Sequence, residues 1–73
     1  MTPQELLKRY AAGKTNFKGF SLNGIDLSAA DLIGANLQLA DLENANFTFA
    51  FLNRANFQQA NLSRAQLSGA NLN

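Results

Sequence analysis

Acid–base or nucleophilic chemistry in this chain would have to rest on carboxylates, because its 73 residues include no histidine and no cysteine. Enzymatic catalysis calls for a nucleophile–base pair, a metal cluster or a phosphate cradle. The acidic side chains of the chain's body are Asp26, Asp31, Asp41 and Glu43. The three aspartates fall at intervals of five or ten, in one recurring polar slot, so their spacing follows from the architecture and not from a catalytic dyad. Thiolates, disulfides and the usual zinc ligand sets are excluded, and no oxidising compartment is required. Neither a GxGxxG nor a P-loop pattern is present. Gly19, Gly24 and Gly34 occupy a corner slot of the repeat and serve its turns. We therefore expect no enzyme, no cofactor, no metal and no small-molecule substrate.

The elements that hold these residues are written in a strict repeat. A large apolar residue stands at every fifth position: Phe17, Leu22, Leu27, Leu32, Leu37, Leu42, Phe47, Leu52, Phe57, Leu62, Leu67 and Leu72. Two residues before each, a second ladder is alanine at every step from Ala30 to Ala70. A period of five fits neither standard element. On an α-helix each step turns about 500°, which smears the leucines around the axis. On a straight strand an odd period sends successive leucines to opposite faces. The pattern works if the chain turns a corner once per repeat, so that every leucine points at one central axis and every alanine sits where nothing larger fits. The intervening Asn, Asp and Ser favour turns and are poor in plain strands.

Residues 1–14 differ. Thr2 suits a helix N-cap, Pro3 the first helical position, and Glu5 stands three after Thr2 as a capping box requires. Leu6 and Leu7 pair with Tyr10 and Ala11 at i, i+4, and Gly13 is a natural stop. The spacing predicts a short amphipathic helix over 3–12. Alone, about ten residues are marginal in water, so the helix must dock, and the end of the repeat is the surface for it. The net charge of +1 gives no strong field toward nucleic acid. No apolar run approaches the roughly 20 residues that span a bilayer, and the N-terminus lacks the layout of a secretory signal. The expectation is a soluble cytoplasmic protein with no membrane and no nucleic-acid partner.

The motifs AADL, GANL, LADL, NANF, RANF and QANL resemble the A(D/N)LXX signature of the pentapeptide-repeat family over residues 15–73. The opening ELLKRYAAG before the repeat resembles small cyanobacterial members. The resemblance implies an all-β solenoid: a right-handed quadrilateral β-helix of about three coils, four pentapeptides to a coil, with a short N-terminal capping α-helix in 1–14. Residues twenty apart should then stack at roughly 4.8 Å, giving the core columns Phe17/Leu37/Phe57, Leu22/Leu42/Leu62, Leu27/Phe47/Leu67 and Leu32/Leu52/Leu72. Asparagine ladders such as Asn16/Asn36/Asn56 are expected to cap backbone amides and carbonyls inside the stack.

Departures from the pattern are where a contact site would be written. The slot before the central residue is polar in eleven of twelve repeats, and the exception is Phe51. Phe49 occupies an outward slot two residues earlier. Small or polar neighbours in their columns, Ala29 and Gly69 for one, Asp31 and Asn71 for the other, leave both rings exposed. Leu39 and Ile33 are the other outward apolar residues. Together Phe49, Phe51, Leu39 and Ile33 are the candidate interaction residues, for self-association or a protein partner. Leu72, in the final coil with no helix after it, is a candidate end contact for a homodimer. Arg54 and Arg64, the only charges after Glu43, are considered as a basic strip. An ice-binding face would need rows of threonine, and only Thr48 lies within the body.

These features point to a non-catalytic structural or protein-interaction module. The alternatives are an N-terminal targeting or assembly domain of a longer protein and, by resemblance to one branch of the family, a DNA mimic that occupies DNA gyrase. Mimicry needs a long, strongly negative rod. Three coils give about 14 Å and an end-to-end dimer about 28 Å, against about 34 Å for one duplex turn. Duplex DNA carries a charge every ~1.7 Å, whereas this chain stands at +1.

Overall fold

The computed structural model describes all residues, 1–73. One helix, α1 (Pro3–Ala11), precedes a solenoid. Thr2 caps α1 through a full capping box: its hydroxyl accepts from the Glu5 N–H, and the Glu5 carboxylate accepts from the Thr2 N–H at 2.8 Å. The backbone N–H and hydroxyl of Thr2 hold the Glu5 carboxyl below the usual glutamate range. The C-terminus of α1 closes with the Gly13 N–H on the Tyr10 carbonyl and the Lys14 N–H on the Arg9 carbonyl, each at 2.9 Å. With Gly13 at φ 86° this is a Schellman motif.

From Asn16 onward, parallel backbone pairing joins residues twenty apart, as in Asn16–Asn36–Asn56 and Asp31–Phe51–Asn71. Successive stretches of twenty residues therefore stack on one another as turns of a β-helix. Each pairing is confined to an isolated position instead of an extended strand, because the chain bends again within five residues. At every corner the N–H of the third residue after a central Leu or Phe returns to that residue's carbonyl, as Ala30 does to Leu27 and Ala35 to Leu32. The third residue of each turn has positive φ, which is the arrangement of a type II turn. Glycine fills only some of these corners. Ala29, Leu39, Asn44, Phe49, Arg54, Gln59 and Arg64 take the others at φ 57–63°, a conformation that costs a non-glycine residue roughly 1 kcal/mol.

The core is the predicted axis. Phe17, Leu22, Leu27, Leu32, Leu37, Leu42, Phe47 and Leu52 are all buried, with Ala30, Ala35, Ala40, Ala45 and Ala50 beside them. Phe47 and Phe57 meet edge to face with ring centres 5.9 Å apart. Helix α1 seals one end of this axis. Leu6 is fully buried against the core, with Leu7 and Tyr10 half-buried. Ala11, expected in the same stripe, is exposed, because the helix ends there and turns away. The Tyr10 hydroxyl donates to the Ile33 carbonyl at 2.7 Å. The Asn53 carbonyl, one turn further on, receives the Gly34 N–H, so Tyr10 fills the place a preceding turn of solenoid would take. Burial and the nearby Asp31 push the Tyr10 phenol above the usual tyrosine range.

Candidate functional site

The slot before each central residue explains the carboxylates. Nine of these residues are Asn or Asp, and in all nine the side-chain Oδ1 accepts from the backbone N–H two residues ahead, as with Asp26 and Ser28 at 3.0 Å. These are Asx turns, which support the bend that follows. The Ser28 N–H holds the Asp26 carboxyl below the usual aspartate range. Asp26, Asp31 and Asp41 are turn acceptors on the outside of the solenoid. The same finding corrects one expectation about asparagine. Asn16, Asn36 and Asn56 cap amides from the surface, and Asn36 Nδ2 donates to Asn16 Oδ1 at 3.3 Å. They do not lie inside the stack, because that space is filled by the alanines and the central leucines.

Ser21, Phe51 and Gln66 make no such bond, and of these three Phe51 alone is apolar. Where the Asx residues hold the next turn, it carries a ring that accepts nothing, and it is 48 % exposed. Phe49, two residues earlier, is 65 % exposed and sits at a corner with φ 59°. A bulky side chain in that backbone region is uncommon. Its ring is folded over the next turn of the solenoid: a Cβ at Gly69 would fall 2.5 Å from Phe49 Cδ1. Gly69 thus provides the flat floor on which the ring rests, and the outer face of the ring stays open.

The twenty-residue period sorts the remaining candidates. Leu39, also 48 % exposed, is ten residues from Phe49, half a period, and so lies at the opposite corner of the solenoid. Ile33 is half-buried, in register with Asn53 beside Phe51, and its carbonyl is taken by Tyr10. Phe49 and Phe51 stand two residues apart, both exposed, Ile33 lies on the adjoining side nearer to α1, and Leu39 is separated from them. Leu72 is 55 % exposed at the far end of its column. Arg54 and Arg64 are also half a period apart, which excludes a joint basic strip. Arg64 is engaged in an ion pair with Glu43 and a 3.0 Å bond to Asn44.

A further set of residues escaped the sequence reading. Lys8, Arg9 and Lys14, with Glu5 and Ala12, line an open cavity of about 360 Å³ beside α1. Its signal in the sequence is that four of the six cations fall within the first eighteen residues. No group of His, Cys, Asp or Glu is placed to hold a metal ion, and no helix is long and apolar enough to cross a membrane.

The model of the pentapeptide repeats matches residues 14–48 and 40–73, in eight copies. This chain belongs to the pentapeptide-repeat family. Two solved family structures resemble it. A pentapeptide repeat protein from the Arabidopsis thaliana thylakoid lumen has 35 % identity over 77 % of this chain, with a TM-score of 0.73. A pentapeptide repeat protein from Nostoc, a cyanobacterium, has 27 % identity over 97 % of this chain, with a TM-score of 0.56. The chain spans 39 % of the length of the first and 75 % of the second. None of the curated proteins matches it significantly. As in these relatives, the solenoid is a right-handed β-helix.

Proposed function

We propose that this pentapeptide-repeat protein is a non-catalytic protein-interaction module. In this reading residues 15–73 form a quadrilateral body of about three coils, residues 1–14 are its cap, and the corner bearing Phe49 and Phe51 is the contact site. The observation that carries the reading is Phe51. Every Asx residue in its slot supports a turn, and Phe51 alone there replaces a polar side chain with an exposed aromatic ring, two residues from the exposed Phe49. Adjacent exposed aromatics are the side chains that anchor protein contacts.

The test is site-specific photo-crosslinking in the host cell, with benzoylphenylalanine at position 49 or, as a control, at position 59, half a period away. Discrete adducts from position 49 alone support the reading, and their mass separates a second copy of the chain from another protein. Equal adducts from both positions, or none from either, overturn it. Light scattering on the purified protein then states whether self-association is part of the function. A second reading, one module of a larger assembly protein, draws support from the relative of which this chain spans 39 %. The DNA-mimic reading has none: the chain carries a net charge of +1 and measures 29 × 22 × 21 Å.

A further inference from the structure

We infer that the groove beside α1 is a second contact surface, which binds an acidic peptide segment of a partner protein. The charge of the molecule is divided. Residues 1–18 hold Lys8, Arg9, Lys14 and Lys18 against the single carboxylate Glu5, while residues 19–73 hold Arg54 and Arg64 against four carboxylates. The cap end is therefore positive and the body negative. The one ion pair in the molecule joins Arg64 to Glu43, so none of the cap's cations is held in an ion pair, and Arg9 alone acts on a carboxylate, that of Glu5. Lys8 and Arg9 also suit the negative end of the α1 dipole, but Lys14 lies beyond the helix and has no such use.

The groove is framed before any partner arrives. The Arg9 guanidinium lies over the Phe20 ring, 5.8 Å from its centre. The Schellman closure ties the Lys14 backbone to the Arg9 carbonyl at 2.9 Å. Lys8, Arg9 and Lys14 then surround a cavity of about 360 Å³ with the small side chain of Ala12 in its lining.

The chemistry favours peptide carboxylates over other polyanions. A nucleic-acid strand needs a basic track and bases stacked on aromatic rings. Here the track is three residues long, the nearest ring is covered by Arg9, and Asp26, Asp31 and Asp41 would repel phosphates along the body. An anionic bilayer is gripped by a helix with a free apolar face, whereas Leu6 is buried in the core and Leu7 and Tyr10 pack against it.

The experiment is fluorescence anisotropy with a fluorescein-labelled Asp/Glu-rich octapeptide and the 73-residue chain, at about 20 mM and about 200 mM salt. Lys8→Gln with Lys14→Gln is compared with Lys18→Gln with Arg54→Gln, which removes the same charge outside the groove. Circular dichroism checks that each variant keeps the cap helix. The groove pair should lower affinity about tenfold and the outside pair about twofold or less. Equal losses would show a diffuse field and overturn the inference. So would the absence of binding by the unaltered protein at low salt, or tighter binding of a single-stranded oligonucleotide or of phosphatidylserine vesicles under the same conditions.

Discussion

Leu32 and Leu72 stand in one column of one repeat, forty residues apart, and their environments are opposite: the first is fully buried and the second is 55 % exposed. The whole of each end follows suit. Under α1, Phe17, Leu22, Leu27 and Leu32 are sealed, while Phe57, Leu62 and Leu67 of the last segment are only half-buried. The difference teaches that a pentapeptide cannot bury its own leucine. Burial comes from the layer stacked on each side, and identical repeats therefore contribute unequally. Helix α1 is such a layer made from different material. Leu6 closes the axis and Tyr10 supplies the hydrogen bond that another turn would have made.

The largest loss on breaking this arrangement should come from its middle. Leu37→Ala or Leu52→Ala, with a covered segment on both sides, should each cost about 2–5 kcal/mol in urea unfolding. A loss under about 1 kcal/mol would show that the stack collapses freely around a void. Next is Leu6→Ala, which should make the sealed end resemble the open one. It should cost about 2 kcal/mol or more and raise amide exchange in residues 15–34 toward that of residues 55–73. Unchanged exchange there would mean that the helix is an appendage instead of a layer.

Tyr10→Phe isolates the polar half of the cap and should cost about 1 kcal/mol. It also carries a pH signature. Because the fold raises the Tyr10 phenol above its ordinary range, its contribution is complete below that range and is lost as pH rises through its higher folded value. Stability of the parent should fall at alkaline pH in step with tyrosinate absorbance, and Tyr10→Phe should remove that component. A parallel fall in the variant would assign the alkaline loss elsewhere. The smallest effect belongs to the open end: Leu72→Ala should cost about 0.5 kcal/mol or less. A loss comparable to that at Leu52 would mean that Leu72 is covered in solution, for example by a second copy.

Most of this architecture was legible in the chain. The capping box of Thr2 and Glu5, the stop at Gly13 and the membership of the core columns all appear where local spacing places them, because each depends on neighbours a few residues away or on an unbroken period. Other features were not. Phe49 and Leu39 look alike as outward apolar residues, and only the twenty-residue pairing puts them on opposite corners. The asparagine slots read as polar, but their direction, outward onto a backbone N–H two residues ahead, depends on how tightly the alanines fill the inside. The basic groove was missed because Lys8, Arg9 and Lys14 are unremarked singly. The last turn of α1, its Schellman closure and the Phe20 ring gather them.

By itself the sequence determined the repeat, the residues of its axis and the start and stop of the helix, since a strict five-residue period leaves the chain one way to bury every leucine. Tertiary stacking decided the rest: which leucines are sealed, which corner bears two aromatic rings, and where the cations converge. These depend on what lies twenty residues away or beyond an end, and no local pattern carries that distance.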